Sequence, residues 1–248
     1  MVLASCPTHQ NSLPNVIDVQ QRYNHIGMSQ ELEELALFPL NTVLFPYAQL
    51  QLHVFEERYR ELVRECLEFD RPFGVVLIRS GSETGHADPY LVGTAVRILG
   101  CHTYDDGRMD IQVQGERRFR IRQLDESRPF PVGKVEPVIE LEVEETPEKV
   151  AAIYRAREDC EILVQRMFEN QDFSVKVKFP PDPVALSFTI ANLLSMENLE
   201  KQRLLETTDT FERFQTLIPI LEMQILETPR ATYYRLSASD LREGIVPN

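Results

Sequence analysis

The chain has 248 residues, enough for one large domain or two small ones, and 43% of them are hydrophobic, enough for a sizeable core. Its net charge of −13 is the reverse of the basic excess that a nucleic-acid-binding domain carries. No apolar run approaches the roughly 18–20 residues that span a bilayer, and the opening MVLASCPTHQ lacks the basic and apolar regions of a secretory signal, so the expected compartment is the cytoplasm and no membrane contact is expected.

Residues 1–34 show little apolar periodicity and read as a disordered leader, with Met28 a candidate start of translation. From Leu35 the pattern is mostly strands. Two short apolar runs end in Phe38-Pro39 and Phe45-Pro46, and proline confines such runs to first or edge strands. The alternating Leu50, Leu52 and Val54 then lead into a helix expected over Glu57 to Phe69, with Tyr59, Leu62, Val63, Cys66 and Leu67 on one stripe. Phe73 to Ile78 is a continuous apolar run, as in a strand buried on both faces. A polar loop from Ser80 to Asp88 precedes a strand over Tyr90 to Leu99. Asp105-Asp106-Gly107 is a turn signal before Met109–Val113, and Gly115 permits a bulge before Phe119–Leu124. Val132–Val138 closes a set of about six strands.

Near Leu141 the period changes from two to 3.6. Thr146-Pro147-Glu148 and Asp182-Pro183 are both helix starts, each with a capping oxygen followed by proline at the first position. The first helix is expected to turn Val150, Ile153, Tyr154, Leu163, Val164, Met167 and Phe168 inward. A second runs through Leu186, Ile190, Leu193 and Leu194, and a third covers about Glu197 to Leu205. Thr208-Asp209 caps the last, which carries Phe211, Phe214, Ile218, Leu221 and Ile225, with a kink expected at Pro219. The expected organisation is therefore α+β: a strand-rich part over residues 35–140, a four-helix bundle over 141–228 and a tail over 229–248.

The ordered series LFPLNTVLFP, LHVFEERY, FGVVLIR, GSETGHADPYLVGTAVRI and DGRMDIQVQGERRFRI resembles the N-terminal, substrate-binding domain of Lon-type ATP-dependent proteases. DPVALSFTIANLL and LEKQRLLE share that likeness more loosely, and the match covers about Leu35 to Leu226. The resemblance implies a PUA-like pseudo-barrel of six strands and one helix packed on a helical bundle, a module shared with cereblon. It also implies recognition of unfolded or extended polypeptide, or of a protein partner such as a separate protease. The ATPase and peptidase halves of Lon have no counterpart here. The one Gly-Lys, Gly133-Lys134, has Arg128 where a phosphate loop needs glycine and Val135 where it needs a hydroxyl. A stand-alone, non-catalytic module is therefore expected.

The chemistry-bearing residues point the same way. The cysteines Cys6, Cys66, Cys101 and Cys160 form no C-x-x-C pair and the five histidines show no chelating spacing, so neither a metal nor another cofactor is expected. No G-x-S-x-G or S-x-x-K arrangement stands out, and the expectation is no enzyme. Converging carboxylates in space keep a small hydrolase open as an alternative. The segment ERRFRIRQ is the best argument for RNA: Phe119 and Ile121 turn inward, placing Arg118, Arg120 and Arg122 in an outer row as possible anion contacts. Against it, residues 35–140 carry 13 basic and 16 acidic side chains, and residues 141–228 carry 9 and 17, so nucleic acid is disfavoured. For polypeptide the candidates are Leu44, Phe45 and Tyr47 beside the prolines, and Phe55 and Tyr59 where strand turns into helix. The groove between barrel and bundle is the competing location.

Overall fold

A computed structural model describes residues 32–142, 144, 146–168 and 179–228. The expected leader, Met28 and the expected tail over 229–248 lie outside those residues, apart from the last few of the leader. The elements described all belong to one compact unit beginning at Glu33. In order they are β1 (Glu33–Leu40), β2 (Gln49–Val54), α1 (Glu57–Phe69), β3 (Phe73–Gly81), β4 (Ala87–Pro89), β5 (Val92–Thr103), β6 (Met109–Asp125), β7 (Val132–Pro137), α2 (Pro147–Phe168), α3 (Pro183–Leu193), α4 (Asn198–Glu206) and α5 (Thr210–Glu227).

The α+β architecture is as expected, with seven strands rather than six. The additional strand, β4, is three residues at the end of the polar loop, paired to β3. The order β1-β7-β6-β5-β3 closes into a ring because β1 also pairs with β3 in parallel, Leu37 opposite Gly74 through Leu40 opposite Leu77. β6 is one long strand where two are expected. Gly115 does not break it; the register with β5 shifts there, Ala95 facing Arg117 and Val96 facing Gly115. Its first half carries β2 and its second half carries β7, so β2 hangs on the ring as a flap.

The barrel interior is small and tightly filled. Leu35, Leu37, Val76, Ala95, Phe119, Ile121 and Val135 form a buried cluster drawn from all five ring strands. The Phe119 ring occupies the room left by two glycines. A Cβ on Gly74 would stand 2.6 Å from its Cζ, and one on Gly93 would stand 2.8 Å from it.

The opposite faces of the same strands enter a second, larger cluster shared with α1 and the bundle. Tyr59, Leu62, Val63 and Cys66 of α1 are buried, and Tyr59 stacks on Phe38 at 4.1 Å. The helix stops at Asp70, which takes a left-handed conformation (φ 48°) while its N–H donates to the Cys66 carbonyl. In the bundle the predicted caps are in place. Asp182 accepts from the Ala185 N–H at 2.8 Å, and Asp209 accepts from Phe211 and Glu212.

The inner face of α2 differs from expectation. Ala156, Cys160, Leu163 and Val164 are buried, whereas Tyr154 is 64% exposed and Met167 is 49% exposed. The buried face thus includes the small Ala156 and Cys160, while the larger Tyr154 and Met167 face outward. Bundle and barrel meet at Phe188 of α3, whose ring lies 5.9 Å from that of Phe45, and at Gln202 of α4, whose amide donates to the Val92 carbonyl at 3.0 Å.

Candidate functional site

A cleft opens where β2 runs into α1. Phe38, Leu40 and Tyr59 form its floor, Leu52, Val54 and Phe55 its wall, and His53, Glu56 and Glu83 its rim. It encloses about 60 Å³, roughly four waters' room and the bulk of one aliphatic side chain. The alternation along β2 explains the wall. Leu52 and Val54 point to the cleft side, and Phe55 follows before the helix begins, 53% exposed with its ring 6.2 Å from that of His53.

Arg58 holds the far rim in place. It donates to the backbone carbonyls of Glu83 (2.9 Å) and Gly85 (3.2 Å), pairs with Glu56 at 3.1 Å, and lies 4.5 Å over the Tyr59 ring. The loop between β3 and β4 is thereby clamped onto α1. Glu83 in turn accepts from the Asn41 N–H at 2.6 Å. Burial pushes the Tyr59 hydroxyl up to about 12; Arg58 counteracts this, and Glu56 and Glu83 add to it. Tyr59 is therefore a neutral phenol over the whole physiological range.

Beside the cleft, three strands place His53, Asp110 and His102 in one row by register. His53 Nδ1 lies 2.6 Å from one Asp110 oxygen, and the Tyr104 hydroxyl donates to the other at 2.5 Å. These bonds, Tyr104 first and then His53, hold the Asp110 carboxyl below the usual range. Among the described residues no group of three or more His, Cys, Asp or Glu side chains is arranged to hold a metal ion.

The five polypeptide candidates separate. Phe55 and Tyr59 come together in the cleft. Leu44 (4% exposed) and Phe45 (0%) do not reach the surface, contrary to the expectation from their prolines. The segment folds under the bundle: Phe45 packs against Phe188, and the Leu44 carbonyl accepts from Thr94 at 2.5 Å. Tyr47 is exposed in the separate crease between barrel and bundle, with Asp182, Glu140, Arg118 and Arg213 as its charged neighbours. Its φ of 69° is unusual for a residue with a side chain.

The arginine row is also corrected. Period two does put Arg118, Arg120 and Arg122 on the outer face of β6, but the bundle covers that face at Arg118, which is 4% exposed. Arg118 donates to the carbonyls of Leu205 and Thr207, both at 2.7 Å, and pairs with Glu140. Arg122 stays exposed and pairs with Glu136. No continuous strip of free cations results. Arg213 of α5, which the sequence reading passed over, is 1% exposed and shares Glu140 at 2.8 Å. The missed cleft residues from β2 are visible in hindsight in the Leu50-Leu52-Val54 alternation, whereas nothing in the sequence announces Glu83.

The model for the ATP-dependent protease La (LON) substrate-binding domain matches residues 34–223. Among curated relatives, the Lon protease of Cytophaga hutchinsonii is 27% identical over 209 residues, and that of Desulfovibrio desulfuricans is 29% identical over 217 residues. These alignments cover 82% and 86% of this chain but only 26% and 24% of the relatives. The chain thus spans about a quarter of the length of the curated relatives it matches, and the matched family model is the substrate-binding domain rather than the catalytic modules. The crystal structure of a Lon N-terminal domain protein from Xanthomonas campestris is 29% identical, with a TM-score of 0.55, covering 76% of this chain and 98% of that one. The N-terminal domain of the Mycobacterium avium complex Lon protease, 21% identical, shares the fold at a TM-score of 0.58 over 77% of this chain and 98% of that one. With the family model matched over most of its length, the chain belongs to the Lon substrate-binding domain family.

Proposed function

We propose that this chain is a polypeptide-recognition module that binds unfolded or extended segments and performs no chemistry of its own. The observation that carries the reading is the match to a substrate-binding domain over residues 34–223, on a fold with an apolar cleft open to solvent. Recognition of this kind needs apolar anchors and a polar rim, and the cleft supplies both. The reading extends to a role as an adaptor that delivers bound polypeptide to a separate protease in the cytoplasm. No helix among the described residues is long and apolar enough to cross a membrane.

The test is titration of the full chain with one labelled protein in two states, reduced and denatured or native. Binding is expected for the denatured state only, with no ATP hydrolysis and no cleavage of the label. Equal binding to both states, or to neither, overturns the proposal.

A further inference from the structure

β2 is bonded along one side only. It pairs with β6 from Gln49–Gln114 to Val54–Met109, and its other edge has no strand partner among the described residues. Such an edge is a template for a further strand. Here the edge opens beside a cleft, because β1 supplies Phe38 and Leu40 to one side and β2 supplies Leu52 and Val54 to the other, yet β1 and β2 do not pair.

A second observation points to a ligand at the same place. Tyr59 is only 3% exposed, and its hydroxyl has no hydrogen-bond partner among the described residues. Buried phenols ordinarily find one. Tyr59 is one of the residues that line the cleft. The rim supplies the third. Glu56 and Glu83 line it, and no lysine or arginine does. Arg58 pairs with Glu56 at 3.1 Å and so offsets part of that charge, while the same guanidinium covers the Tyr59 ring and bonds the loop carbonyls.

We propose that β2 and this cleft form a strand-addition site for an extended polypeptide bearing one aliphatic or aromatic anchor flanked by lysine or arginine. The ligand main chain continues the sheet at the free edge of β2. Its anchor enters between Phe38, Leu52 and Phe55, the Tyr59 hydroxyl bonds a main-chain group of the entering residue, and the basic flank faces Glu56 and Glu83. The inference rests on the polypeptide-recognition reading and adds the site, the geometry and the charge preference to it.

The probe is a fluorescein-labelled synthetic peptide of alternating leucine and lysine, measured by anisotropy against the full chain. Its controls are the leucine–glutamate counterpart and a copy with N-methylated main-chain amides on one edge or the other. The leucine–lysine peptide is expected to bind at least about tenfold more tightly than the acidic one. At least one N-methylated copy is expected to lose binding, because methylation removes donors to the ladder. Phe55→Ala should weaken binding about tenfold and Tyr59→Phe about fivefold. Phe55 is exposed and Tyr59→Phe keeps the ring, so both variants should fold, with circular dichroism as the check. Binding that ignores N-methylation, or that survives both variants but is lost in Tyr47→Ala, overturns the inference and moves recognition to the crease between barrel and bundle. That outcome leaves polypeptide recognition standing. Failure of both this peptide and denatured protein to bind overturns both proposals.

Discussion

Arg118 and Arg213, 95 positions apart in sequence, divide one carboxylate between them: each pairs with a different oxygen of Glu140, and both guanidinium groups lie over the ring of Phe188, at 5.2 and 4.4 Å. One arginine belongs to the barrel and the other to the bundle, so the arrangement clamps the two together. Desolvation lowers Arg118 to about 10, with Glu140 working against that shift. The cluster tolerates two buried cations because carbonyls of Leu205 and Thr207 and the hydroxyls of Ser187 and Thr210 absorb the remaining donors.

Removing the shared anion therefore strands both cations. Glu140→Gln is expected to destabilise the protein by about 3 kcal/mol, the loss typical of breaking a buried pair. Arg118→Met combined with Glu140→Gln should recover part of that loss, since only one uncompensated guanidinium is left. Urea unfolding of the single and double variants measures both. Additive losses would show that Arg118 and Glu140 act independently.

The clamp also marks the limit of reading this chain as a string. Period two along β6 correctly assigns Arg118 and Phe119 to opposite faces, but which outer face another part of the chain will cover is a tertiary fact. The caps at Thr146, Asp182 and Asp209 are legible because capping is a contact within three residues. β4 is not, since three residues carry no period. Of the cleft, Phe55 and Tyr59 are legible from their place at a strand-to-helix junction. Phe38 and Glu83 are brought there by strand pairing and by the Arg58 clamp, which no local pattern encodes.

The Phe119 ring gives a packing test. Gly74→Ala puts a methyl 2.6 Å from its Cζ and 2.8 Å from Leu37 Cδ2, so that the Phe119 and Leu37 side chains, both fully buried, must shift. A loss of about 2–3 kcal/mol is expected from this overpacking. Phe119→Leu should cost stability alone but less in the Gly74→Ala background, because it vacates the space the methyl needs. Thermal unfolding of the four-member cycle checks the sign of that coupling.

On α2 the structure and the hydrophobic pattern disagree in a way that mutants can separate. Tyr154 is 64% exposed and Ala156 is fully buried. Tyr154→Ser should change stability by less than about 0.5 kcal/mol, whereas Ala156→Leu should cost about 1–3 kcal/mol by forcing the helices apart. If denaturant midpoints reversed that order, the helix would be turned the other way, with the tyrosine inward.

Buried thiols give the pH dependence. Burial pushes Cys66 up to about 11 and Cys160 up to about 12, from an ordinary value of 9.0 in both cases. The unfolded chain therefore releases these protons first as pH rises. Stability is intact below about pH 9 and falls as pH climbs toward the folded-state values, because the unfolded state binds fewer protons there. Arg118, lowered from 12.5 to about 10, acts in the opposite sense, but only above pH 10. The interval from about pH 9 to 10 thus reads chiefly the thiols, and urea midpoints should decline across it. Cys160→Ala should flatten that decline relative to its own value at pH 7.5. The same burial predicts that in a Cys6→Ser background only the exposed Cys101 reacts with Ellman's reagent before unfolding, and Cys66 and Cys160 react after it. Prompt reaction of a second thiol in the folded protein would mean that α1 or α2 opens far more readily than its packing implies.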